Sequence, residues 1–407
     1  MKVVVTMLGS RMHYAIPRIF QKAGMLEHFY TDSYIGNKPW LERILQLLPR
    51  RFRPKLLERF LGRQDALLPP DKITSFEGLG FYYAWARGRA RKERDREQIY
   101  ARAGRSFNRK IVAAGLGRAG VTWGFNSASL ELFEYAKEQD VRCVLEQTIA
   151  PQKIQARLMA EELGRWPGWE PGLEVVEGDS PLAAREESEW RLADRIVAGS
   201  DFVAEGLRTL GVPAERIRVV PYGIDPGRFS GAERRVHAGP LRVLFAGQVG
   251  LRKGVPDLLE ALGRLGKKRV DARLAGMIRI APEKLDGFRD VAHCLGPVPR
   301  TRMAELFRWA DIFILPSIVE GSATVTYEAL ASGLPVITTP NAGSVVRDGK
   351  EGFVVPIRDP GAVADRILRL AEDRDMLVRM GTAASARAQD FTLERYGERV
   401  LKALEGL

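Results

Sequence analysis

The sequence predicts an α/β protein built from two parallel-sheet domains, and three observations support this prediction. The chain has 407 residues, and at roughly 150 residues per domain this length corresponds to two or three domains. Short apolar runs alternate with amphipathic segments, which is typical of βαβ units. A polar segment at residues 226–240 separates a first series of such units from a second. We therefore predict a first domain over residues 1–225, a linker over 226–240 and a second domain over 241–388.

In the first domain, an apolar run at the amino terminus predicts a buried strand, and a helix is predicted after it over residues 13–23. The loop between them contains Gly9 and Ser10, and a glycine there lets the backbone approach a ligand closely. Residues 164–181 are rich in proline and glycine and predict a loop insertion. The G-x-G-x-x-G pattern at residues 115–120 is not interpreted as a dinucleotide site, because a helical pattern precedes it and a strand follows.

The clearest βαβ unit lies in the second domain. Residues 310–317 form an apolar run that ends at a proline and a serine, as expected for a buried strand. Residues 318–324 are small and polar and predict a loop. Residues 325–333 contain helix formers and end at a glycine, and residues 334–339 predict the next strand. The order is therefore strand, loop, helix, strand.

Two glutamates belong to this unit, Glu320 in the loop and Glu328 on the helix. In a parallel α/β sheet the loop lies at the carboxyl edge of the strands, where ligands bind. The helix N-terminus suits a diphosphate, whereas carboxylates accept hydrogen bonds from sugar hydroxyls. The combination predicts a nucleotide-sugar site, although two glutamates alone also fit a solvated helix edge. The backbone groups that would face the diphosphate belong to Gly321, Ser322, Ala323 and Thr324.

The flanking sequence is informative as well. Asp311 and a Pro-Ser pair precede the glutamates, and an Ala-x-Gly-x-Pro-Val sequence follows at residues 331–336. With the E-x7-E spacing, these residues resemble the retaining glycosyltransferases of the GT-B fold, in the glycogen-synthase-like family 4 (glycosyl transferases group 1). The resemblance implies two Rossmann-like domains that face each other across a cleft. It also implies that Glu320 contacts the transferred sugar and Glu328 the nucleotide ribose.

A second anion site is predicted where the second domain begins. A strand at residues 241–246 leads into a turn and then a helix, so a helix N-terminus again faces the carboxyl edge. The turn reads Gly247-Gln248-Val249-Gly250-Leu251-Arg252-Lys253-Gly254. Members of the resembled family carry an arginine after the first glycine and a lysine before the last. Lys253 matches, Gln248 does not, and we expect Arg252 to supply the second charge; the alternative is a solvated basic turn.

The resemblance assigns further donor contacts. It implies that Gly9 and Ser10 face the diphosphate from the first domain, although family members usually have a double glycine there. It implies that the turn with Pro297 and Val298 holds the nucleotide base through its backbone. It also implies that the C-terminal helix, residues 389–407, packs back on the first domain.

The implied reaction is a retaining transfer, in which the acceptor hydroxyl attacks from the face that the donor phosphate leaves. We expect Glu320, Lys253 and Arg252 to be the catalytic residues, through positioning and charge stabilisation. The nucleotide-sugar is the donor substrate, and no cofactor or metal is indicated. The string Asp373-Arg374-Asp375 is interpreted as surface. Many members carry a first-domain histidine near the reacting carbon; the corresponding stretch here, after Glu146, has none, and His13 is the fallback.

The basic charge is concentrated in one segment. Residues 38–118 contain 20 Lys and Arg against 8 Asp and Glu, whereas the rest of the chain has 43 of each. Basic residues beside apolar ones at helical spacing are typical of helices in a membrane interface. We therefore expect docking on an anionic membrane and a lipid-linked or saccharide acceptor; the alternative is that these apolar residues only form the first domain's core. They are Leu41, Ile44, Leu45, Leu47, Leu48, Leu56, Leu57, Phe60 and Leu61.

The expected location is the cytoplasm, peripheral on the inner face of the cytoplasmic membrane. No apolar run approaches the roughly 18 residues of a spanning helix, and the first apolar run is too short for a signal peptide. Cys143 and Cys294 show neither a disulfide framework nor zinc spacing.

Two other classes of function remain open. One is a different enzyme on the same fold, such as a nucleotide-sugar epimerase or a phosphorylase. The other is a degenerate transferase that binds nucleic acid through its basic region. That region shows no recognised nucleic-acid motif and is expected to lack interleaved exposed aromatic residues, so we expect no nucleic-acid partner.

Overall fold

The computed structural model describes residues 1–47, 49, 52–90, 92–174, 178–229 and 239–407. Most of the predicted linker, residues 230–238, lies outside the described residues, and so does Leu48. Within the described residues, no helix has both the length and the apolar character required to cross a bilayer.

The first domain is centred on a parallel sheet. Among the described residues, seven strands pair in the order β3-β2-β1-β4-β5-β6-β7, so the chain winds outward in one direction and then in the other. The strands are β1 (Val3–Met7), β2 (Leu26–Thr31), β3 (Ile73–Ser75), β4 (Val121–Phe125), β5 (Arg142–Gln147), β6 (Arg195–Ala198) and β7 (Ile217–Val219). The apolar side chains of β1 and β4 are buried, which explains why these strands read as continuous apolar runs.

Helices connect these strands on both faces of the sheet. They are α1 (Ala15–Lys22), α2 (Pro39–Gln46), α3 (Lys55–Leu61), α4 (Glu77–Arg89), α5 (Glu93–Ala114), α6 (Leu130–Glu138), α7 (Gln152–Arg165), α8 (Pro181–Leu192) and α9 (Asp201–Thr209). The glycine-rich stretch at 115–120 joins α5 to β4, so it is a helix-to-strand connection and not a nucleotide-binding turn.

The second domain repeats the architecture with a smaller sheet. Among the described residues, six parallel strands pair in the order β10-β9-β8-β11-β12-β13. They are β8 (Leu241–Ala246), β9 (Val270–Ala275), β10 (Ala292–Gly296), β11 (Ile312–Leu315), β12 (Val336–Thr338) and β13 (Gly352–Val354). The helices are α10 (Val255–Leu265), α11 (Pro282–Leu285), α12 (Arg300–Trp309), α13 (Thr324–Ala331), α14 (Pro360–Glu372), α15 (Arg374–Ala388) and α16 (Leu393–Lys402). The predicted fold class of two Rossmann-like α/β domains is confirmed.

Two segments pack on the domain that does not contain their neighbours in sequence. Helix α16 packs on the first domain, where Tyr396 and Val400 join the core beneath β1, and Arg195 donates to the carbonyl oxygen of Ala403 at 2.7 Å. In the other direction, Trp166 and Trp169, directly after α7, pack against the core of the second domain. The proline- and glycine-rich insertion at 164–181 therefore contributes to the contact between the domains.

The first helix begins later than the predicted residue 13. Met12, His13 and Tyr14 have φ values of 46°, 48° and 60°, and α1 begins at Ala15. Three successive left-handed residues without a glycine are uncommon, because a Cβ is crowded in that region. The turn is sustained by Tyr14, which is buried and packs edge-on against the ring of Phe29 at 5.6 Å between centroids.

Candidate active site

The two predicted anion-binding turns meet at the carboxyl edge of the second sheet. Backbone N–H groups of Ile318 and Val319 donate to the carbonyl oxygen of Arg252 at 3.0 and 3.3 Å, which ties the loop after β11 to the loop after β8. Gly254 lies at φ 66°, and a Cβ there would overlap the carbonyl oxygen of Pro316. The close approach of the two turns therefore requires glycine at position 254.

A pocket of about 340 Å³ opens between these turns. It is bounded on one side by Gly247 and Lys253 and on the other by Glu320 and the first residues of α13. The predicted donor residues among those that line it are Gly247, Lys253, Val298, Glu320, Ser322, Ala323 and Thr324. Gln248 and Arg252 instead line a larger cleft beside it, and Pro297 lines neither.

Glu320 joins two cations inside this pocket. Its Oε1 accepts a hydrogen bond from Nη1 of Arg252 at 2.6 Å and also contacts Nζ of Lys253. The side chains of Lys253 and Glu320 are only 10% and 12% exposed. Burial lowers the pKa of Lys253, and the Glu320 carboxylate opposes that shift in part. An anionic ligand that binds here would replace Glu320 as the partner of Arg252 or Lys253, because neither cation is unpaired.

Helix α13 directs its N-terminus at the same pocket. Its first N–H groups have no acceptor within the helix, which makes the end electropositive. Ser322, just before the helix, shares a hydrogen bond between its hydroxyl and that of Tyr327 at 2.7 Å. The carbonyl oxygen of Gly321 accepts from Oγ of Ser200 at 2.5 Å, and a Cβ on Gly321 would overlap the carbonyl oxygen of Thr148. Ser322 and Gly321 hold the loop in place, and the first domain touches the loop both at Gly321 and at Glu320, whose carbonyl oxygen accepts from the N–H of Ala150 at 3.2 Å.

Glu328 lies one turn further along α13. Burial raises the pKa of its carboxyl group, and the nearby guanidinium of Arg300 lowers it by less. Nη2 of Arg300 lies 3.8 Å from Oε1 of Glu328, and Nη1 of the same residue contacts the ring of His13 in the first domain. Burial, followed by the charge of Arg300, lowers the pKa of His13. Arg300 therefore connects Glu328, the residue predicted to bind the ribose, to the left-handed turn of the first domain.

The first-domain loop has a different contact from the expected one. The N–H of Gly9 donates to Oδ1 of Asp32 at 2.8 Å, so this amide is satisfied by the protein. The same Oδ1 accepts from Nη1 of Arg63 at 2.8 Å. Ser10 is exposed at the start of the following turn, and its side chain forms no capping hydrogen bond. The Gly9 amide is therefore paired within the first domain, and the contact of Gly9 and Ser10 with the diphosphate stays a prediction.

Arg11 and Thr148 are first-domain residues that sequence reasoning missed. Nη1 of Arg11 donates to Oγ1 of Thr148 at 2.7 Å, and its guanidinium lies 5.5 Å from the ring centroid of Phe125. Oγ1 of Thr148 also bonds to Oδ1 of Asn126 at 2.9 Å. The group faces Gly321 through the carbonyl oxygen of Thr148. Thr148 lies directly after β5, where the family resemblance implied a histidine. The sequence feature that could have indicated this group is an arginine directly after the Gly9-Ser10 loop.

Glu170 is a third residue that the sequence did not indicate. It lies in the insertion after α7, and its Oε2 accepts from the N–H of Leu251 at 2.8 Å. The N–H of Ala281 donates to the carbonyl oxygen of Trp169 at 2.8 Å, which fixes the insertion on the second domain. A first-domain carboxylate thus holds the turn that carries Arg252 and Lys253. Its distance from them in sequence explains why no local pattern indicated it.

The D-x-D string at residues 373–375 was considered as a metal-binding feature, and it has a structural explanation. Oδ1 of Asp373 accepts from the N–H of Met376 at 2.7 Å and caps α15, so the D-x-D string begins a helix. Within the part of the chain that the structure describes, no three His, Cys, Asp or Glu side chains are grouped so that they could hold a metal ion.

Two family models match the sequence. The model described as "Glycosyl transferases group 1" matches residues 240–373, and "Glycosyltransferase Family 4" matches residues 177–228. The first match contains both predicted anion-binding turns and the two glutamates.

Similar curated proteins carry glycosyltransferase names. The D-inositol 3-phosphate glycosyltransferase of Paenarthrobacter aurescens is 32% identical over 249 residues, which cover 53% of this chain and 61% of that protein. The homologue from Streptomyces scabiei is 31% identical over 228 residues, covering 49% and 51%. WcaL of Salmonella typhimurium, named for colanic acid biosynthesis, is 29% identical over 234 residues, covering 53% and 57%. The chain spans about half the length of the curated relatives it matches.

Solved structures share the whole fold at low sequence identity. Anabaena HepE, solved in complex with UDP and glucose, has a TM-score of 0.62 at 14% identity, with 100% of both chains covered. WaaG, a glycosyltransferase involved in lipopolysaccharide biosynthesis, has a TM-score of 0.60 at 16% identity, again with 100% of both chains covered. The two family matches and the solved structures agree: in residues 177–228 and 240–373 the chain is similar to glycosyltransferases of family 4 and group 1, and its two α/β domains have the GT-B fold.

Proposed function

We propose that this protein is a retaining glycosyltransferase that moves a sugar from a nucleotide-diphosphate sugar to a hydroxyl acceptor, in cell-surface polysaccharide or glycolipid synthesis. The observation that carries the proposal is the convergence of Lys253, Arg252 and Glu320 at the N-terminus of α13. Cations and a helix end suit a diphosphate, and a carboxylate beside them suits sugar hydroxyls. The names of relatives and the UDP and glucose bound by HepE point the same way.

In the proposed reaction, the donor diphosphate lies against Lys253 and the first N–H groups of α13. These groups stabilise the negative charge that grows on the phosphate as its bond to the sugar breaks. The acceptor hydroxyl attacks from the face that the phosphate leaves, and its proton passes to the departing phosphate oxygen. Glu320 holds the sugar in the reactive orientation, and Glu328 holds the ribose. Side-chain cations supply the stabilising charge, so the proposed hexosyl transfer requires no metal.

The test is a panel of nucleotide-sugars with different bases and sugars, each incubated with the protein and assayed for released nucleoside diphosphate. We expect release from at least one member, stimulated by a lipid-linked or saccharide acceptor. The anomeric configuration of the product, determined by NMR, should match that of the donor. Binding without release from any donor, or an inverted product, would contradict the proposal.

The exposed face of α2 supports a membrane location. No residue of α2 is buried: Trp40 and Ile44 are 63% and 56% exposed, and Leu47, directly after the helix, is 81% exposed. The apolar residues of α2 are therefore not part of the first domain's core, whereas Phe60 of α3 is buried. The surrounding segment carries the entire positive excess of the chain. We propose that this face inserts into the interface of an anionic bilayer, where each nearby Lys or Arg contributes about 1 kcal/mol.

The expectation that this region lacks exposed aromatic residues is wrong. Phe52, Phe81, Tyr82 and Trp85 are also exposed beside the basic residues. Aromatic rings would stack on nucleic-acid bases as well as insert into lipid. The aliphatic side chains of Ile44 and Leu47 have no stacking surface, and their exposure favours the bilayer.

Flotation with liposomes tests this membrane proposal. We expect binding to anionic vesicles at low salt, weaker binding as salt rises, and little binding to neutral vesicles. The double variant Ile44→Gln, Leu47→Gln should lose most of the bound fraction, because its apolar contact area is removed. Val378→Gln is the matched control, since Val378 is 47% exposed on α15, outside the basic segment. Equal flotation of the double variant and the control would refute a role for α2.

A further inference from the structure

A second, larger cleft of about 1040 Å³ continues from the proposed donor site towards the first domain. Arg252 and Lys253 line its second-domain end. Helices α3 and α4 and the segment after α3 line the opposite wall, where Arg59, Arg63 and Arg87 face the cleft. Resting on the proposed function, we infer that this wall binds a phosphate group, so that the acceptor is a phosphate-bearing alcohol.

Arg63 is the anchored member of this arginine wall. Its Nη1 donates to Oδ1 of Asp32 at 2.8 Å, and the side chain of Asp32 is only 3% exposed. Asp32 also accepts from the N–H of Gly9, so the arginine is tied to the carboxyl end of β1. Nη1 of Arg63 also donates to the carbonyl oxygen of Ser33 at 3.5 Å. A guanidinium has five N–H donors, and those on the other two nitrogens remain for a ligand. A buried carboxylate that fixes one edge of an arginine leaves its other edge oriented for an oxyanion.

The other two arginines are not neutralised by the protein. Within the described residues, no carboxylate lies within 4.0 Å of the charged nitrogens of Arg59 or Arg87. Two carboxylates of the cleft have partners other than Arg59 and Arg87: Glu93 pairs at 2.9 Å with Arg96, which also lines the cleft, and Glu170 accepts from the N–H of Leu251. Asp32 pairs with Arg63, and the other two carboxylates that line the cleft belong to Glu97 and Glu174.

An aromatic contact fixes the spacing of the wall. The rings of Phe60 on α3 and Phe81 on α4 lie 5.3 Å apart between centroids, which joins the two helices. Arg59 is adjacent to Phe60, and Arg87 lies further along the helix of Phe81. Arginines in one cleft repel each other unless an anion lies among them, and phosphate fits guanidinium groups in the bidentate manner. Phe60 and Phe81 also line the cleft, so the phosphate would lie beside an apolar surface.

Binding probes test the inference independently of turnover. Two matched pairs are titrated into the protein: glycerol 3-phosphate with glycerol, and dodecyl phosphate with dodecanol. We expect at least one phosphate to bind about tenfold or more tightly than its alcohol, as charged hydrogen bonds to arginine permit. A preference in the soluble pair indicates a free phosphate ester, and a preference confined to the dodecyl pair indicates a lipid phosphate. No preference in either pair overturns the inference.

Variants then locate the phosphate. The double variant Arg59→Gln, Arg87→Gln should lose the preference, whereas Arg109→Gln, an exposed arginine of α5 outside the cleft, should retain it. A preference that persists in the double variant places the phosphate elsewhere and overturns the inference. Donor hydrolysis without acceptor is measured in parallel and should survive in the double variant. Absence of hydrolysis in the wild-type protein would count against the proposed function, whereas hydrolysis without phosphate preference counts only against the acceptor class.

Discussion

Replacement of Lys253 by methionine is expected to lower the rate of transfer about 100- to 1000-fold, the effect of removing a preorganised stabiliser of transition-state charge. Lys253 is nearly buried between Gly247 and Glu320, at the pocket that also receives the N-terminus of α13. A cation in such a site needs little reorganisation when charge develops on the departing phosphate. Methionine keeps much of the volume and apolar stem of lysine, so the variant removes mainly the charge. Initial rates with the donor identified from the panel measure the effect.

The pH profile gives a second measure of Lys253. Burial lowers its pKa, so the side chain loses its proton at a lower pH than an exposed lysine would. Because the protonated form stabilises the diphosphate in the proposed reaction, kcat/KM should fall as the pH rises towards this lowered pKa. Lys253→Arg should have a lower rate but no such alkaline decline. Lys267→Met, at a side chain that is 69% exposed, is the control and should behave as wild type. A Lys253→Met variant with the wild-type rate would exclude the lysine from catalysis.

Replacement of Glu320 by glutamine is expected to separate binding from turnover. The carboxylate neutralises Arg252 and Lys253, so its loss leaves both cations available to a diphosphate. Binding of a nucleoside diphosphate should therefore be retained or become tighter. Transfer should fall by about 100-fold, because the sugar loses the acceptor that orients its hydroxyls in the transition state. Calorimetric titration and steady-state rates measure the two effects.

The exposed Glu372 provides the matched control for this change, since its side chain is 66% exposed and pairs with Arg269 on the surface. Glu372→Gln should alter neither quantity. If Glu320→Gln weakened nucleotide binding and left kcat unchanged, Glu320 would be a ground-state ligand and not an orienting residue.

Local patterns were sufficient to predict the fold because the elements are governed by local chemistry. The unit from β11 through α13 to β12 was predicted from an apolar run, a small polar loop and a glycine stop. Its neighbour, from β8 to α10, was predicted in the same way. Both turns carry glycines, and Gly254 and Gly321 are required where the backbones of different segments touch. These are positions where sequence and tertiary contact demand the same residue.

The contacts between the domains could not be predicted in this way. The left-handed turn at Met12–Tyr14 depends on burial of Tyr14, which the sequence does not specify locally. Arg300 and His13 lie 287 positions apart yet touch across the cleft. Glu170 reaches Leu251 over 81 positions. Such pairs have no common periodicity or motif, and only the way in which the two sheets face each other brings them together.

A crystal structure of the complex with a nucleoside diphosphate tests the donor site most directly. We expect the diphosphate within hydrogen-bond distance of Lys253 and of the first backbone N–H groups of α13, with the base near Val298 and Glu328 on the ribose hydroxyls. We also expect Glu320 to release at least one of its two cationic partners to the diphosphate. A nucleotide bound on the first-domain sheet, or bound in the cleft with the Arg252–Glu320–Lys253 cluster intact and no contact to α13, would contradict these expectations.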